Sequence, residues 1–278
     1  MIKKVKVEPE EISQDELTYL LDNTVASDTL MISFAVFPAP GGKSAFDFRR
    51  ATHPLGVKRL FLRDPHMMWY QKGSPGIGDD VPGVAAFLKT IIAREGVKRV
   101  VMIGNSGGGF SALLFGALLG VDEIHAFNPP TRLHEPDDTS MPDQLAALQA
   151  EKGKALPYLD LQDIFRKHLS SSTRVYIHFS RGECRDRRHA RYLREFPNVH
   201  LIEYPFVSHH VARFFAERSM LTPLLDAAAK GDAEAVRRTT RAMFWTALPW
   251  YVPGRIAGLA GKALAKAGRM LTTGSPDR

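Results

Sequence analysis

Apolar and polar positions along the chain sort into two alternating kinds of segment. Short apolar runs occur at Thr29–Phe37 (TLMISFAVF), Val57–Leu62, Lys98–Ile103, Glu123–Phe127, Arg174–Phe179 and Val199–Tyr204. Several are bounded by Pro, Gly or Asn, and their length and β-branched content predict buried strands. Between them lie helical stretches at about 81–95, 110–119, 187–195 and 209–219. Asp79 and Asp80 start the first of these, and Pro82 is tolerated in its opening turn. Strands alternating with helices predict an α/β fold: a mostly parallel central sheet covered on both faces. A strand at Lys3–Val7 and a short helix at Ser13–Asp22 are expected before it. Residues 129–172 exceed a minimal crossover and hold a helix near Asp143–Glu151, an insertion suited to a lid or to packing.

The tightest turn in this pattern lies between the run ending at Ile103 and the helix opening near Phe110. It reads Gly104-Asn105-Ser106-Gly107-Gly108, a G-x-S-x-G with its serine between strand and helix. That is the setting of a nucleophile elbow, where nearly side-chain-free neighbours let strand and helix pass closely. A dinucleotide loop is the sharper rival, but Ser106 stands where G-x-G-x-x-G needs its second glycine. The next strand also ends in Asn128-Pro129, with no acid for a ribose hydroxyl. No G-K-[ST] follows, which excludes a P-loop.

The later strands deliver further chemistry into their following loops. After VYIHF come two carboxylates, Glu183 and Asp186; after VHLIEY come His209 and His210. The order Ser, acid, His, together with IGNSGGGFSALLFG, resembles the α/β-hydrolase superfamily of serine hydrolases over about residues 28–219. More narrowly, "RDP…WY", the elbow, "D..HA..L" and "HHV" are similar to hydrolase-like proteins of bacterial surface-polysaccharide and glycosylation clusters. That likeness implies the acid three residues before His-Ala, which is Asp186, with Glu183 in reserve. It implies the histidine just before a residue–Val pair, which is His209 rather than His210. The sequence departs from it in lacking a bulky aromatic or Met around the serine: Asn105 and Gly107 leave that surface open.

The residue types suit acyl transfer. A serine hydroxyl is almost never ionised at neutral pH and needs a base to take its proton as it attacks. Imidazole can take that proton and return it to the leaving group, while a carboxylate fixes the imidazole's tautomer. The oxyanion needs two N–H donors. Gly107, after the nucleophile, is expected to give one, and the loop after TLMISFAVF the other. Pro38 has no N–H, so the choice falls between Phe37 and Ala39, and Phe37 is preferred. No cofactor is required.

Other residues read more plainly. His125 and His178 sit within strands as satisfied core residues; Asp64 either shapes the pocket or pairs with Arg63. The pairs Asp64/His66 and His209/His210 lack metal-ligand spacing. The lone Cys184 rules out an internal disulfide and suits a reducing compartment.

Charge adds one feature. The net +7 is carried by seven basic residues between Ala235 and Pro276 (Arg237, Arg238, Arg241, Arg255, Lys262, Lys266 and Arg269) with no acid among them, leaving the rest neutral. Residues 222–247 read as helical, LPWYVPG interrupts them, and Arg255–Leu271 resumes as a basic amphipathic helix beside Trp245, Trp250 and Tyr251. The tail is suited to a membrane surface, to an acidic protein partner, or to packing on the body with a solvated basic face. Nucleic acid is not expected, since no recognisable module is present. The start has no apolar signal region and no run approaches about 18 apolar residues, so a cytoplasmic protein, peripheral to the membrane at most, is expected. The expected organisation is an α/β-hydrolase domain over 1–220 and a helical C-terminal extension over 221–278. The expected activity is hydrolysis of an acyl ester on a small molecule or saccharide, with acyl transfer or thioester cleavage as alternatives on the same residues. A non-catalytic protein working through its basic tail is the remaining alternative.

Overall fold

The computed structural model describes residues 17–37, 46–133, 156–205 and 207–248, with Asp143, Ala146 and Ala150 as isolated helical positions. The expected strand at Lys3–Val7 and the tail from residue 249 onward lie outside the described residues.

Seven strands form one sheet: β1 (Tyr19–Asp22), β2 (Thr29–Ala35), β3 (Lys58–Arg63), β4 (Arg99–Asn105), β5 (Glu123–Phe127), β6 (Arg174–Ser180) and β7 (Val199–Tyr204). Their order is β1-β3-β2-β4-β5-β6-β7. All pairs are parallel except the edge pair β1–β3. β1 corrects the expected helix over Ser13–Asp22, whose last residues are strand. Tyr19–Asp22 pair along β3 in the register Tyr19↔Leu62 to Asp22↔Arg59, and Asp22 bonds Arg59. Backbone pairing at an open edge outweighs the helix preference of so short a segment.

Side-chain alternation splits the core in two. On one face Leu30, Ile32 and Phe34 of β2 and Val100 and Met102 of β4 meet α2 (Val81–Glu95), α3 (Gly107–Leu119), α4 (Leu161–His168) and α5 (Cys184–Tyr192). On the other, Met31, Val101, Ile103 and Tyr176 meet α6 (Val211–Ala216), α7 (Leu221–Ala229) and the helix at 233–248, here α8. A four-residue helix at Arg49–Thr52, α1, also lies on this second side, against α7. α2 begins as the sequence predicts, with the Asp80 carboxylate accepting from the Gly83 N–H at 2.7 Å. α3 is buried along residues 107–117, which is why its sequence is apolar all round.

The predicted helical run 222–247 is broken at Gly231, whose φ of 70° ends α7 before α8 begins. The end of α7 and the turn after it are tied to the sheet. Glu123, fully buried on β5, holds Arg99 at 2.7 Å and Arg174 at 2.8 Å. These arginines donate onward to the carbonyls of Ala228 and Gly231. Leu224, Leu225, Val236 and Met243 are buried in the second core. Within the long 129–172 segment, Leu133, Leu159, Leu161, Ile164 and Phe165 are buried in the first core. Among the described residues no helix is long and apolar enough to cross a membrane.

Candidate active site

Ser106 follows β4 and precedes the first residue of α3, with φ 49° and ψ −119°. L-residues rarely adopt this region, and the neighbours show what holds it there. The Ser106 N–H donates to the carbonyl of Phe127 at 2.8 Å, and the Ser106 carbonyl accepts from Phe110. A Cβ on Gly104 would lie 2.0 Å from the Gly108 carbonyl oxygen, and one on Gly108 would lie 2.1 Å from that of Phe34. Only glycines permit strand and helix to approach so closely.

The structure brings the three residues singled out from the sequence into one hydrogen-bonded chain. Ser106 Oγ lies 3.2 Å from His209 Nε2, and His209 Nδ1 lies 2.8 Å from Asp186 Oδ1. Asp186 Oδ1 is a carboxylate acceptor, so Nδ1 carries the proton and Nε2 is left to accept from Ser106. The Asp186 side chain is only 4% exposed and that of His209 is 38% exposed, so the dyad ends buried at the acid and open at the base. Their alternatives in the sequence sit elsewhere. Glu183 is the N-cap residue of α5 rather than the partner of His209, and His210 lines a neighbouring cavity.

Asp186 is held by residues the sequence reading did not single out as part of the site. Asn128, at the end of β5, donates from Nδ2 to Asp186 Oδ2 at 2.5 Å. Its backbone is left-handed, φ 48°, and its N–H is fixed on the His178 carbonyl at 2.8 Å. Asparagine tolerates that conformation better than most residues. One turn along α5, buried His189 accepts the Thr131 N–H at Nδ1, 3.0 Å. The helix bearing Asp186 is thus clamped twice to the loop after β5. The signal was the Asn128-Pro129 strand stop and the His-Ala that follows Asp186.

The expected oxyanion donors lie on adjoining elements. Gly107 opens α3, so its N–H has no partner within the helix. The residues just after β2 pack against it: a Cβ on Gly107 would come within 2.8 Å of Phe37 Cε2 and 3.0 Å of Val36 Cβ. Phe37 in turn meets Trp69 edge-on, with ring centroids 5.7 Å apart. Ala39 lies outside the described residues.

The loop carrying Trp69 explains Asp64. This carboxylate, 1% exposed, accepts backbone N–H groups of His66, Met68 and Tyr70 at 2.8–2.9 Å. It therefore folds the loop from within. Burial pushes its carboxyl up, against the pull of those three donors. The Tyr70 hydroxyl then donates to the Ala35 carbonyl at 3.0 Å, which steadies the end of β2 next to Phe37.

His125 and His178 are more than inert core residues. Glu123 Oε1, His125, His178 and the Tyr204 hydroxyl form a continuous buried chain with links of 2.9, 3.0 and 3.0 Å. Burial, and then the nearby His125, hold His178 well below the usual imidazole range, so it is neutral. Burial alone would raise Glu123, but its bond to His125 and the charges of Arg174 and Arg99 outweigh this and hold it low.

No protein-family model matches the chain, and no curated protein matches it in sequence. Solved structures do. The capsule O-acetyltransferase of Neisseria meningitidis serogroup A superposes at TM-score 0.56 and 16% identity, over 73% of this chain and 90% of that one. FphF, a fluorophosphonate-binding serine hydrolase of Staphylococcus aureus, gives 0.53 and 11%, over 71% and 84%. A glycosylation-associated protein complex (Gap123) of Streptococcus agalactiae gives 0.51 and 12%, over 75% of this chain but only 44% of that longer one. At these identities the likeness is one of fold: the chain has an α/β-hydrolase fold.

Proposed function

We propose that this α/β-hydrolase-fold chain is a serine enzyme that cleaves or transfers an acyl group through an acyl-serine intermediate. The observation that carries the reading is the hydrogen-bonded chain Ser106–His209–Asp186, with the serine on a left-handed turn at the mouth of the sheet.

In this reading His209 Nε2 takes the Ser106 proton as Oγ attacks the acyl carbonyl. Asp186 stabilises the imidazolium and keeps its own charge. The tetrahedral oxyanion is received by the N–H groups of Gly107 and Phe37. Collapse expels the alcohol or thiol, which takes the proton from His209. Water or an acceptor hydroxyl then repeats the sequence in reverse, freeing Ser106. The two outcomes differ only in which nucleophile reaches the acyl-serine. Two of the similar structures are named for capsule O-acetylation and for glycosylation, which supports a saccharide-linked acyl group as the substrate.

The test is intact-mass analysis after exposure to a fluorophosphonate. One adduct on wild type, absent from Ser106→Ala and His209→Ala, is the expected result. A well-folded wild type that takes no adduct would overturn the reading.

A further inference from the structure

A cavity of about 620 Å³ opens on the second face of the sheet, beside the elbow. Ser106 itself does not line it, but its chain neighbour Asn105 does, as do Ala212 and Arg213 of the helix that follows His209. The size is that of a small-molecule site. Phe46, Phe48 and Leu221 make an apolar wall. Phe48 is also coupled to the elbow, since its ring packs 5.6 Å from that of Phe127, whose carbonyl holds the Ser106 N–H.

The charged lining is mostly of one sign. Arg49 and Arg50 stand side by side on α1, both exposed, and among the described residues neither forms an ion pair. Arg213 adds a third guanidinium, shared with Glu217 at 2.9 Å, and His53 follows at the end of α1. Asp47 is the opposing acid among the described lining residues. Unpaired arginines over an apolar wall suit a ligand with an apolar body and an anionic end, since guanidinium groups match carboxylate and phosphate geometry.

We infer that this cavity is an anion-selective subsite that takes the phosphate- or carboxylate-bearing part of an amphipathic acyl substrate. Arg49 and Arg50 hold the anion, and the apolar wall of Phe46, Phe48 and Leu221 holds the apolar portion. The inference rests on the acyl-serine reading for calling the ligand a substrate. The anion site itself stands on the lining.

Equilibrium binding separates the two. Calorimetry on wild type and on Ser106→Ala, at low ionic strength, uses 1-naphthyl phosphate, 1-naphthoate and the neutral 1-naphthalenemethanol. An anionic probe is expected to bind about tenfold tighter than the neutral one. The Arg49→Gln/Arg50→Gln double variant, its fold checked by circular dichroism, is expected to bring that ratio near one. The tighter anionic probe then identifies phosphate or carboxylate as the group recognised. Equal binding of all three probes, or a preference that survives in the double variant, would overturn the subsite. Anion preference in a chain that takes no fluorophosphonate adduct would support the subsite and retire the acyl-serine reading.

Discussion

Asn128 Nδ2 donates to Asp186 Oδ2 at 2.5 Å, leaving Asp186 Oδ1 to face His209. One amide therefore decides which way the buried carboxylate turns. A hydrogen bond to a charged group contributes about 1.5–3 kcal/mol, and each 1.4 kcal/mol is tenfold in rate. Asn128→Ala is expected to lower the rate of fluorophosphonate labelling about ten- to a hundredfold. Its circular dichroism spectrum should match wild type. An unchanged labelling rate would mean that Asp186 needs no orienting partner.

Ser106 stores backbone strain at φ 49° and ψ −119°, a conformation open to glycine. Ser106→Ala keeps the side-chain clash, whereas Ser106→Gly relieves it. Both lose the hydroxyl proposed as the nucleophile. Ser106→Gly is expected to exceed Ser106→Ala in unfolding free energy by about 1 kcal/mol, despite glycine's greater chain entropy. Urea unfolding of the two variants measures the difference directly, and equal midpoints would show an unstrained turn.

Gly107 meets the side chains of Phe37 and Val36 so closely that a methyl group there must shift the Phe37 ring and press on Val36, just beyond β2. Gly107→Ala is therefore expected to disturb Gly107 and Phe37, the two residues proposed as oxyanion donors, at once. Loss of one such donor costs about 10²–10³ in rate, and a comparable fall in labelling is expected here. The matched control is Phe37→Ala, which removes the obstructing ring. Combined with Gly107→Ala it should recover part of the lost reactivity.

Glu123 is buried with two arginines and a histidine around one carboxylate. Removing one partner of such a cluster leaves buried charge uncompensated, a cost of about 3–5 kcal/mol. Glu123→Gln is expected to lower stability by an amount of that order in denaturant unfolding. Because Arg99 and Arg174 also hold the carbonyls of Ala228 and Gly231, amide exchange in α7 and α8 should quicken first.

Asp47 gives a pH signature. Burial pushes its carboxyl up to about 6 from the ordinary 3.8. The folded chain thus retains a proton that the unfolded chain releases between these values. Its stabilising contribution is complete below the lower value and is lost as pH rises through the upper one. At 1.36 kcal/mol per unit the loss reaches about 3 kcal/mol at neutral pH. Asp47→Asn should accordingly be the more stable chain at pH 7.5, with the difference shrinking as pH falls from 6 toward 4. His178 acts in the opposite sense, since its depressed value makes stability fall as pH drops below the usual 6.5. That contribution is common to both chains and cancels in their difference. A pH-independent difference would show that Asp47 titrates normally.

The sequence by itself determined the elements that rest on local rules. Glu123–Phe127 and Val199–Tyr204 are strands at the predicted bounds, because continuous apolar runs between turn residues have few alternatives. α2 spans Val81–Glu95 because Asp80 and Pro82 write its start. That Ser106, Asp186 and His209 would meet was legible too, since loops after parallel strands collect at one edge of the sheet and chain order names the loops. Tertiary structure decided the rest. It turned Tyr19–Asp22 into a strand by offering the open edge of β3, and it ended α7 at Gly231. It placed Asp186 rather than Glu183, and His209 rather than His210, in the hydrogen-bonded chain with Ser106, an outcome set by where each loop docks. It also assembled Glu123, His125, His178 and Tyr204 into one buried chain. Apart from Glu123 and His125, which share β5, these partners lie on different strands, tens of residues apart, and only the register of the sheet brings their side chains within hydrogen-bond reach.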